Sequence, residues 1–532
     1  MFLFIVYSLL WSLLGDPLAR SQTVDDGIHI LSVTGVEVHN YPSPFLSLIA
    51  PTNTTTIDFR NCTVTLTHPG IDDIVIVSLW LPPPDLWNSK FLSTGGSGLQ
   101  AGIFGLYQPS GVALGYATAS TEGGLSKNNT LDPSTGAWAV NSDGSLNETL
   151  ITNYEYRSVH DMAVVGKQIV RQYYGAAARY SYFFGCSTGG GQGYQSAARY
   201  PRDFDGIMAN SPALDPVTLG PLGLWPMVVM GSESVVVPQC VFEVYQQEIV
   251  RVCDPLDGVR EGLITSYWPR KCVDFFDPGE LVGRVLDCED TNGRLVINET
   301  HAEVVRRVLR GPTRDGQHQD QDQVGYGIPP GASFAGMANT VVVNGTVAEV
   351  PFGPFSPYEG WGKYLVLRNG SSSVLNMTEA EFWRVLELSR ANLSGLFALS
   401  PDLSGFRNAG GKLLSWHGMA DRYVPYVSTR DYFRKVAGEA AGNVDDFYRL
   451  FLAPGADHCF LPIPGLVPGP IPVSPWAALI QWVEKGIIPE TLSASTVTGH
   501  RITRELCPYP WELRYKGQDN VDEASSWTCQ KA

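Results

Sequence analysis

Short apolar runs separated by turn residues recur along the chain and predict strands that alternate with helices. The run Ile74–Leu81 predicts a buried strand, which ends at three consecutive prolines. Apolar residues at helical spacing predict a helix over Val159–Tyr174, which ends at Gly175. Further strands are predicted over 91–93, 116–120, 182–184, 412–416 and 447–452, and further helices over 192–200 and 475–485. This alternation is typical of an α/β fold.

A serine lies in a tight glycine turn between a predicted strand and a predicted helix. The turn is Gly185-Cys186-Ser187-Thr188-Gly189. A strand–turn–helix unit of this kind is a nucleophile elbow, which exposes a serine hydroxyl to a base. The bare motif is a weak signal in a chain with 55 glycines, so its setting is what makes Ser187 the predicted nucleophile.

The predicted general base and its orienting acid lie much later in the chain. Asp421 follows the predicted strand over 412–416, and His458 follows the one over 447–452. A histidine in this role takes the serine proton, and the acid accepts from its imidazole. The order Ser187, Asp421, His458 is that of α/β-hydrolases. The rival acids are Asp402 and Asp457.

Two cysteines adjoin the predicted nucleophile and base. Cys186 precedes Ser187, and Cys459 follows His458. A bond between them would bring the two side chains within reach, because the Cα atoms of a disulfide lie about 5.5 Å apart. The alternative is a bridge that only stabilises the fold. Close spacing predicts two more bonds and leaves three cysteines unassigned: Cys253–Cys272 and Cys507–Cys529 are the bonds, and Cys62, Cys240 and Cys288 remain.

Backbone N–H groups near the elbow are predicted to form an oxyanion hole. One donor is Thr188, the residue after the nucleophile. A second is expected from the loop Thr94–Gly98, which follows a predicted strand, with Gly95 and Gly96 as candidates. The alternative is an ordinary glycine turn.

The predicted hydrolase elements fall into two blocks. Residues 22–212 and 405–532 hold these elements, and residues 213–404 lie between them. We therefore predict an α/β-hydrolase fold with a large inserted lid domain.

Composition and charge narrow the class of protein. The chain has 532 residues and a net charge of −16, which argues against nucleic acid and an anionic membrane surface as partners. Residues 1–14 are apolar but too few to span a bilayer, so residues 1–21 are predicted to be a signal peptide. We expect a secreted, extracellular protein with no membrane span.

Glycosylation sequons agree with secretion, although chance occurrence is the alternative. The nine sequons are Asn53, Asn61, Asn128, Asn147, Asn298, Asn344, Asn369, Asn376 and Asn392.

An acidic turn near Cys253 has the residue types of a calcium loop. Asp254, Asp257 and Glu261 alternate with turn glycines, and hard oxygen ligands are what Ca²⁺ prefers. The spacing differs from that of an EF-hand. A solvated acidic turn is the equal alternative.

Several of these motifs together resemble the tannase and feruloyl esterase family. The resembling stretches are 156–160, 181–190, 200–207, 417–421 and 457–459. The paired Cys-Ser and His-Cys are highly specific to this family. Glu261 stands where the family usually has Asp, and some of its early cysteines are absent, which would leave Cys62 unpaired.

The resemblance implies an α/β-hydrolase core with an inserted lid, the triad named above and the Cys186–Cys459 bridge. It also implies a lid calcium site that adds the backbone carbonyls of Val259 and Leu263 to the three carboxylates. The implied substrates are small aromatic esters, either galloyl esters of tannins or feruloyl esters of plant-wall sugars. No organic cofactor is implied. A serine peptidase and a catalytically idle binding protein on the same fold stay open as alternatives.

Overall fold

The computed structural model describes most of the chain. The described residues are 22–24, 27–42, 54–127, 130–265, 272–273, 275–288, 293–314, 327–337, 340–343, 346–349, 356–374, 376–440, 442–459, 469–517 and 520–531. The predicted signal peptide, 1–21, and the sequons at Asn53, Asn128 and Asn344 lie outside these residues.

Nineteen strands occur among the described residues. They are β1 Gln22–Val24, β2 Ile28–Pro42, β3 Thr56–Thr67, β4 Val75–Leu81, β5 Lys90–Thr94, β6 Ala117–Thr121, β7 Tyr180–Cys186, β8 Gly206–Asn210, β9 Val285–Cys288, β10 Gly293–Val296, β11 Thr340–Val343, β12 Thr346–Glu349, β13 Lys412–Gly418, β14 Tyr448–Ala453, β15 Ile471–Pro472, β16 Leu492–Ser495, β17 Thr503–Leu506, β18 Trp511–Tyr515 and β19 Trp527–Lys531.

Thirteen α-helices occur in the same part of the chain. They are α1 Gln108–Ala113, α2 Glu148–Thr152, α3 Ser158–Tyr174, α4 Thr188–Arg199, α5 Pro216–Leu222, α6 Trp225–Ser232, α7 Gln239–Cys253, α8 Glu299–Arg310, α9 Ser356–Gly360, α10 Glu379–Leu393, α11 Ser404–Asn408, α12 Tyr426–Glu439 and α13 Pro475–Lys485. Two π-helical segments, Asn153–Arg157 and Trp361–Val366, continue α2 and α9. No helix of the described residues is long and apolar enough to cross a bilayer.

The structure divides into two compact units. Of the described residues, those within 1–133, 147–209 and 403–413 form the first unit, and those within 134–146, 210–402 and 414–532 form the second. Residues 414–532, which the sequence analysis placed with the first block, therefore group with 210–402. A separate lid over 213–404 stays a prediction.

The first unit is built on a mixed sheet. Its strands lie in the order β1-β2-β3-β4-β6-β5-β7-β8. The pairs from β1 to β4 and β4 with β6 are antiparallel, whereas β5 is parallel to β6 and to β7. In β5 and β7, Thr94 lies opposite Phe184. Since parallel strands end at the same edge, the loop after β5 lies beside the turn after β7.

A buried ionic network supports the first unit. The His68 ring bonds Asp73 Oδ2 through Nδ1 at 2.8 Å and Asp161 Oδ2 through Nε2 at 3.1 Å. Asn153 Nδ2 also donates to Asp73 at 2.9 Å, which ties the π-helical segment to the network. Burial opposes protonation of His68, but the hydrogen bonds of Asp161 and Asp73 outweigh it and raise the pKa of His68 to about 9.

The second unit carries the loops that follow β13 and β14. Met419 N–H donates to Ala453 O at 2.8 Å, and Ala420 N–H donates to Ala456 O at 2.9 Å, so the two loops are bonded side by side. The described disulfides of this unit are Cys240–Cys288, Cys253–Cys272 and Cys507–Cys529. The last two are bonds that close spacing predicted. In the first unit Cys62 is a buried thiol.

Candidate active site

Ser187 occupies a strained turn between β7 and α4. Its backbone has φ 62° and ψ −123°, a conformation that residues other than glycine rarely adopt. The end of β7 lies so close to the first turn of α4 that position 185 must be glycine, because a Cβ at Gly185 would lie 2.2 Å from Gly189 O. The predicted elbow is therefore present, and strain of this kind persists where the surroundings determine it.

The loop after β5 packs directly against this elbow. Gly189 N–H donates to Gly96 O at 3.1 Å, and Thr188 Oγ1 donates to Gly98 O at 2.6 Å. A Cβ at Gly95 would lie 2.6 Å from Gly189 Cα, so close contact excludes a side chain there. The glycine loop thus lies where the sequence analysis expected it.

Gly95 and Gly96 do not offer their N–H groups as predicted. Gly95 N–H donates to Phe184 O at 3.0 Å, and Gly96 N–H donates to Gln192 Oε1 at 2.9 Å. Both donors are already used inside the protein, which corrects their assignment to the oxyanion hole. Thr188 is the first residue of α4, where backbone N–H groups lack an intrahelical acceptor, so it stays the predicted donor.

Gln192 holds the glycine loop, and sequence reasoning missed it. Its side chain is 1% exposed on α4, and Nε2 donates to Ala101 O at 3.1 Å and to Tyr154 O at 2.7 Å. Together with the bond from Gly96, one amide joins the glycine loop, the elbow helix and the π-helical segment. A glutamine inside a glycine-rich helix was the only signal for this role.

In the second unit the predicted acid and base lie together. His458 Nδ1 is 2.7 Å from Asp421 Oδ2, and both side chains are buried. The orientation leaves His458 Nε2 for a reacting group, which is the geometry of a base held by its acid. The Tyr423 ring lies edge-on to the imidazole, with centroids 5.5 Å apart.

Asp421 receives donors on both oxygens. Oδ1 accepts the N–H groups of Tyr423 at 3.0 Å and Val424 at 2.8 Å, and Oδ2 also lies 3.0 Å from His417 Nε2. Burial opposes ionisation, but the charge of His458 and the His417 and His458 hydrogen bonds hold the pKa of Asp421 far below its usual range. Asp421 is therefore an ionised partner for the imidazole.

The rival acids have other positions. Asp457 Oδ1 accepts the Arg422 N–H at 3.1 Å, and its Oδ2 lies 3.0 Å from Arg422 Nη2. Asp402 is exposed to solvent. Neither takes the position that Asp421 has beside His458.

The cysteines beside the nucleophile and the base are both oxidised. In the first unit Cys186 is buried and disulfide-bonded. In the second unit Cys459 is disulfide-bonded, has φ 57°, and donates its N–H to Ser211 Oγ at 3.2 Å.

The acidic loop has its own internal bonds. Asp254 accepts the N–H groups of Glu261 at 3.1 Å and Gly262 at 3.0 Å. Asp257 Oδ2 and Glu261 Oε2 are buried and have no hydrogen-bond partner. Burial and the nearby Asp257 carboxylate raise the pKa of Glu261 to about 8. Among the described residues, no group of three or more His, Cys, Asp or Glu side chains is arranged to hold a metal ion.

Six of the predicted glycosylation sites lie within the described residues. Asn298, Asn369, Asn376 and Asn392 are exposed, and Asn61 and Asn147 are partly buried. The amide oxygens of Asn147 and Asn298 cap the helices α2 and α8.

Comparison with known proteins gives consistent matches over nearly the whole chain. A family profile described as "Tannase and feruloyl esterase" matches residues 62–530. A "Probable feruloyl esterase" of Arthroderma benhamiae is 39% identical over 514 residues, which cover 95% of this chain and 91% of that protein. "Feruloyl esterase B" of Aspergillus niger is 31% identical over 472 residues, which cover 85% and 82%. Among solved structures, the "Tannin acyl hydrolase from Aspergillus niger" has a TM-score of 0.81 at 25% identity and covers 97% of this chain and 94% of that chain.

Proposed function

Because the chain belongs to the tannase and feruloyl esterase family and is a carboxylic ester hydrolase, we propose that it is a secreted serine esterase for aromatic-acid esters. The substrates would be galloyl esters of tannins or feruloyl esters of plant-wall sugars, as the relatives' names suggest. The observation that carries the mechanism is the buried 2.7 Å hydrogen bond between His458 Nδ1 and Asp421 Oδ2.

The proposed reaction has two steps through an acyl-enzyme. Ser187 Oγ attacks the ester carbonyl while His458 Nε2 takes its proton, and Thr188 N–H donates to the developing oxyanion. The imidazolium then gives the proton to the leaving alcohol, and the acyl group stays on Ser187. Water attacks this ester with His458 again as base, which releases the acid and restores the serine.

A Cys186–Cys459 bridge is part of this proposal. Both cysteines are disulfide-bonded, and the described bonds account for the other six oxidised cysteines. The bridge would link the residues next to Ser187 and His458 covalently. Tryptic peptide mapping under non-reducing conditions should find the two cysteines in one linked peptide pair. Any other pairing would refute this part.

The test of the function is release of free acid from two model esters. Purified protein is incubated with methyl ferulate and with methyl gallate, beside a Ser187→Ala variant whose fold is checked by circular dichroism. We expect one acid to be released by the wild type and almost none by the variant. A folded wild type that releases neither acid, or a variant as active as the wild type, would refute the proposal.

The alternatives on the same fold are distinguished by the same preparation. A serine peptidase would also cleave an anilide of ferulic acid, which an esterase would leave almost intact. A binding protein would retain ferulate or gallate in equilibrium dialysis without hydrolysing the esters. We favour an enzyme over a binding protein because the acid–base pair is complete and its acid is ionised. We favour the esterase over the peptidase because the chain belongs to an ester-hydrolase family.

We also propose that the acidic loop binds a structural Ca²⁺. The orphaned oxygens of Asp257 and Glu261 fit a hard cation, which would remove the cost of two buried carboxylates without partners. Asp254 and the carbonyls of Val259 and Leu263 complete the proposed set. The three carboxylates are not arranged around a common point in the structure, so the ion would have to draw them together on binding. Ca²⁺ should raise the melting temperature of EDTA-treated protein, and Asp257→Asn should abolish this rise. The exposed Asp72→Asn is the matched control. No effect of Ca²⁺ on the wild type would exclude the site.

Secretion and glycosylation are proposed from the apolar leader, the disulfides and the exposed sequons. N-terminal sequencing of protein from the culture medium should begin near residue 22, and enzymatic deglycosylation should lower its apparent mass. Protein found only inside the cell, with an intact leader, would contradict secretion.

A further inference from the structure

A second histidine contacts the acid of the proposed triad, and the reaction described above does not use it. His417 lies on β13 with a fully buried side chain. Its Nε2 is 3.0 Å from Asp421 Oδ2 and 2.8 Å from Val424 O, and its Nδ1 is 2.9 Å from Thr429 Oγ1. His417 and His458 therefore share one oxygen of the same carboxylate.

The partners of His417 determine where its proton lies. Val424 O only accepts, and an ionised Asp421 only accepts, so Nε2 carries the hydrogen. The Thr429 hydroxyl can donate to Nδ1, so a neutral ring satisfies every partner. A neutral ring also avoids the cost of burying another charge.

The contacts leave Asp421 little freedom to rotate. Two backbone N–H groups hold Oδ1, and the two histidines hold Oδ2. Without His417, only the bond to His458 would hold Oδ2. That bond must keep its direction while the imidazole gains and loses a proton. A second donor on Oδ2 helps because it keeps the carboxylate from rotating.

We propose that His417 is a positioning residue of the esterase, whose Nε2–H holds the Asp421 carboxylate in the orientation that His458 needs. This inference rests on the proposed function, because it takes Ser187, Asp421 and His458 as the triad. It assigns His417 no contact with the substrate.

The other ionisable groups near the pair are accounted for. Asp457 is paired with Arg422. The Tyr358 hydroxyl donates to Tyr423 O, and burial raises the pKa of both tyrosines, so they stay neutral at working pH. The His458–Asp421 pair is therefore the ionisable pair of the proposed reaction that His417 contacts directly.

The test compares three variants with the wild type on the methyl ester that it cleaves. His417→Phe keeps an aromatic ring but removes both hydrogen-bonding nitrogens. His417→Gln keeps an N–H donor on the side chain. Thr429→Val leaves Nε2 in place and removes only the hydroxyl at Nδ1. Circular dichroism and thermal melting establish that each variant is folded.

We expect His417→Phe to lower kcat by about 10–100-fold with little change in KM, because misplacement of a catalytic group costs up to about 100-fold. Removing a donor that competes for Oδ2 should leave the carboxylate to His458 alone, so the acid limb of kcat/KM should move to higher pH. His417→Gln should recover most of kcat, and Thr429→Val should stay close to the wild type. If His417 served folding alone, the folded variant would keep the wild-type kcat and the acid limb of kcat/KM would stay at the same pH.

Two results would overturn the inference. One is a folded His417→Phe with wild-type kcat, and the other is a loss of kcat with an unchanged acid limb and no recovery in His417→Gln. If the wild type shows no hydrolysis that depends on Ser187, the proposed function fails instead. In that case the downfield proton resonance of the His458–Asp421 bond is the readout: it should shift or broaden in His417→Phe, and an unchanged resonance would also refute the positioning role.

Discussion

The Gln192 amide provides the strongest test of how the loop beside the nucleophile is held. Its oxygen accepts from Gly96 N–H, and its nitrogen donates to Ala101 O and Tyr154 O, all within 3.1 Å. Gln192→Leu has a similar volume but leaves these three backbone groups without their partner. An unsatisfied buried group costs about 1–3 kcal/mol. Taking about 1–2 kcal/mol for each, we expect the free energy of unfolding to fall by about 3–6 kcal/mol.

The assay measures stability and activity on the same preparation. Urea denaturation followed by tryptophan fluorescence gives the free energy of unfolding, and ester hydrolysis at a temperature where the variant is folded gives kcat. We expect kcat to fall as well, because the amide holds the loop that contacts Gly189. Gln195→Leu is the matched control: it is equally buried on the same helix, but it bonds Glu155 and Arg199. It should lose stability and keep kcat.

The reasoning would be refuted by either of two results. One is a Gln192→Leu protein that unfolds within about 1 kcal/mol of the wild type, since that is less than one unsatisfied group should cost. The other is an equal loss of kcat in Gln195→Leu, which would show that general destabilisation of the helix, and not the loop, lowers activity.

Three further predictions follow from the geometry. Asp421→Asn should lower kcat by about 10³–10⁴-fold with the fold intact, measured on the same ester, because the imidazole loses its ionised partner; a loss below about 10-fold would contradict this role. Gly189→Ala should destabilise by about 2 kcal/mol or more in urea, since its Cβ would lie 2.8 Å from Gly96 O, whereas Gly231→Ala, with nothing within 4 Å, should be neutral or slightly stabilising. The pKa of His68 is raised in the folded protein, so its contribution to the free energy of unfolding is complete below about pH 6.5 and is lost as pH rises through about 9. His68→Gln should remove this part of the decline in the free energy of unfolding with pH. An identical pH profile in the variant would refute the role of His68.

Much of the secondary structure could be predicted where apolar periodicity was strong. The predicted helix over 475–485 is present with those bounds as α13, and the predicted strand over 412–416 is extended by two residues as β13. The predicted helix over 192–200 begins earlier, at Thr188, because its first turn is three glycines and an amide with no periodic signal. The long strands β2 and β3 were not predicted. Register shifts at Ile30/Ser32 and Val38/Tyr41 break the alternation of β2. In β3 the alternation of Cys62, Val64 and Leu66 is intact and was overlooked.

The sequence by itself determined the residue types of the site and their order. A serine in a glycine turn after a strand, an aspartate after another strand and a histidine beside a cysteine define the chemistry, since local geometry at strand ends follows from local sequence. The resemblance to the family supplied the expected substrate class, calcium ligands and Cys186–Cys459 bridge. Comparison over residues 62–530 confirmed the family.

Only the tertiary structure decided which hydrogen bonds those residues make. The N–H groups of Gly95 and Gly96 are used by Phe184 and Gln192, and the second donor on Asp421 is His417. Gly96 and Gln192 are 96 residues apart, so no spacing rule could have paired them. Hydrogen bonds across such distances depend on how strands and helices pack, and packing is a property of the whole fold rather than of any one segment.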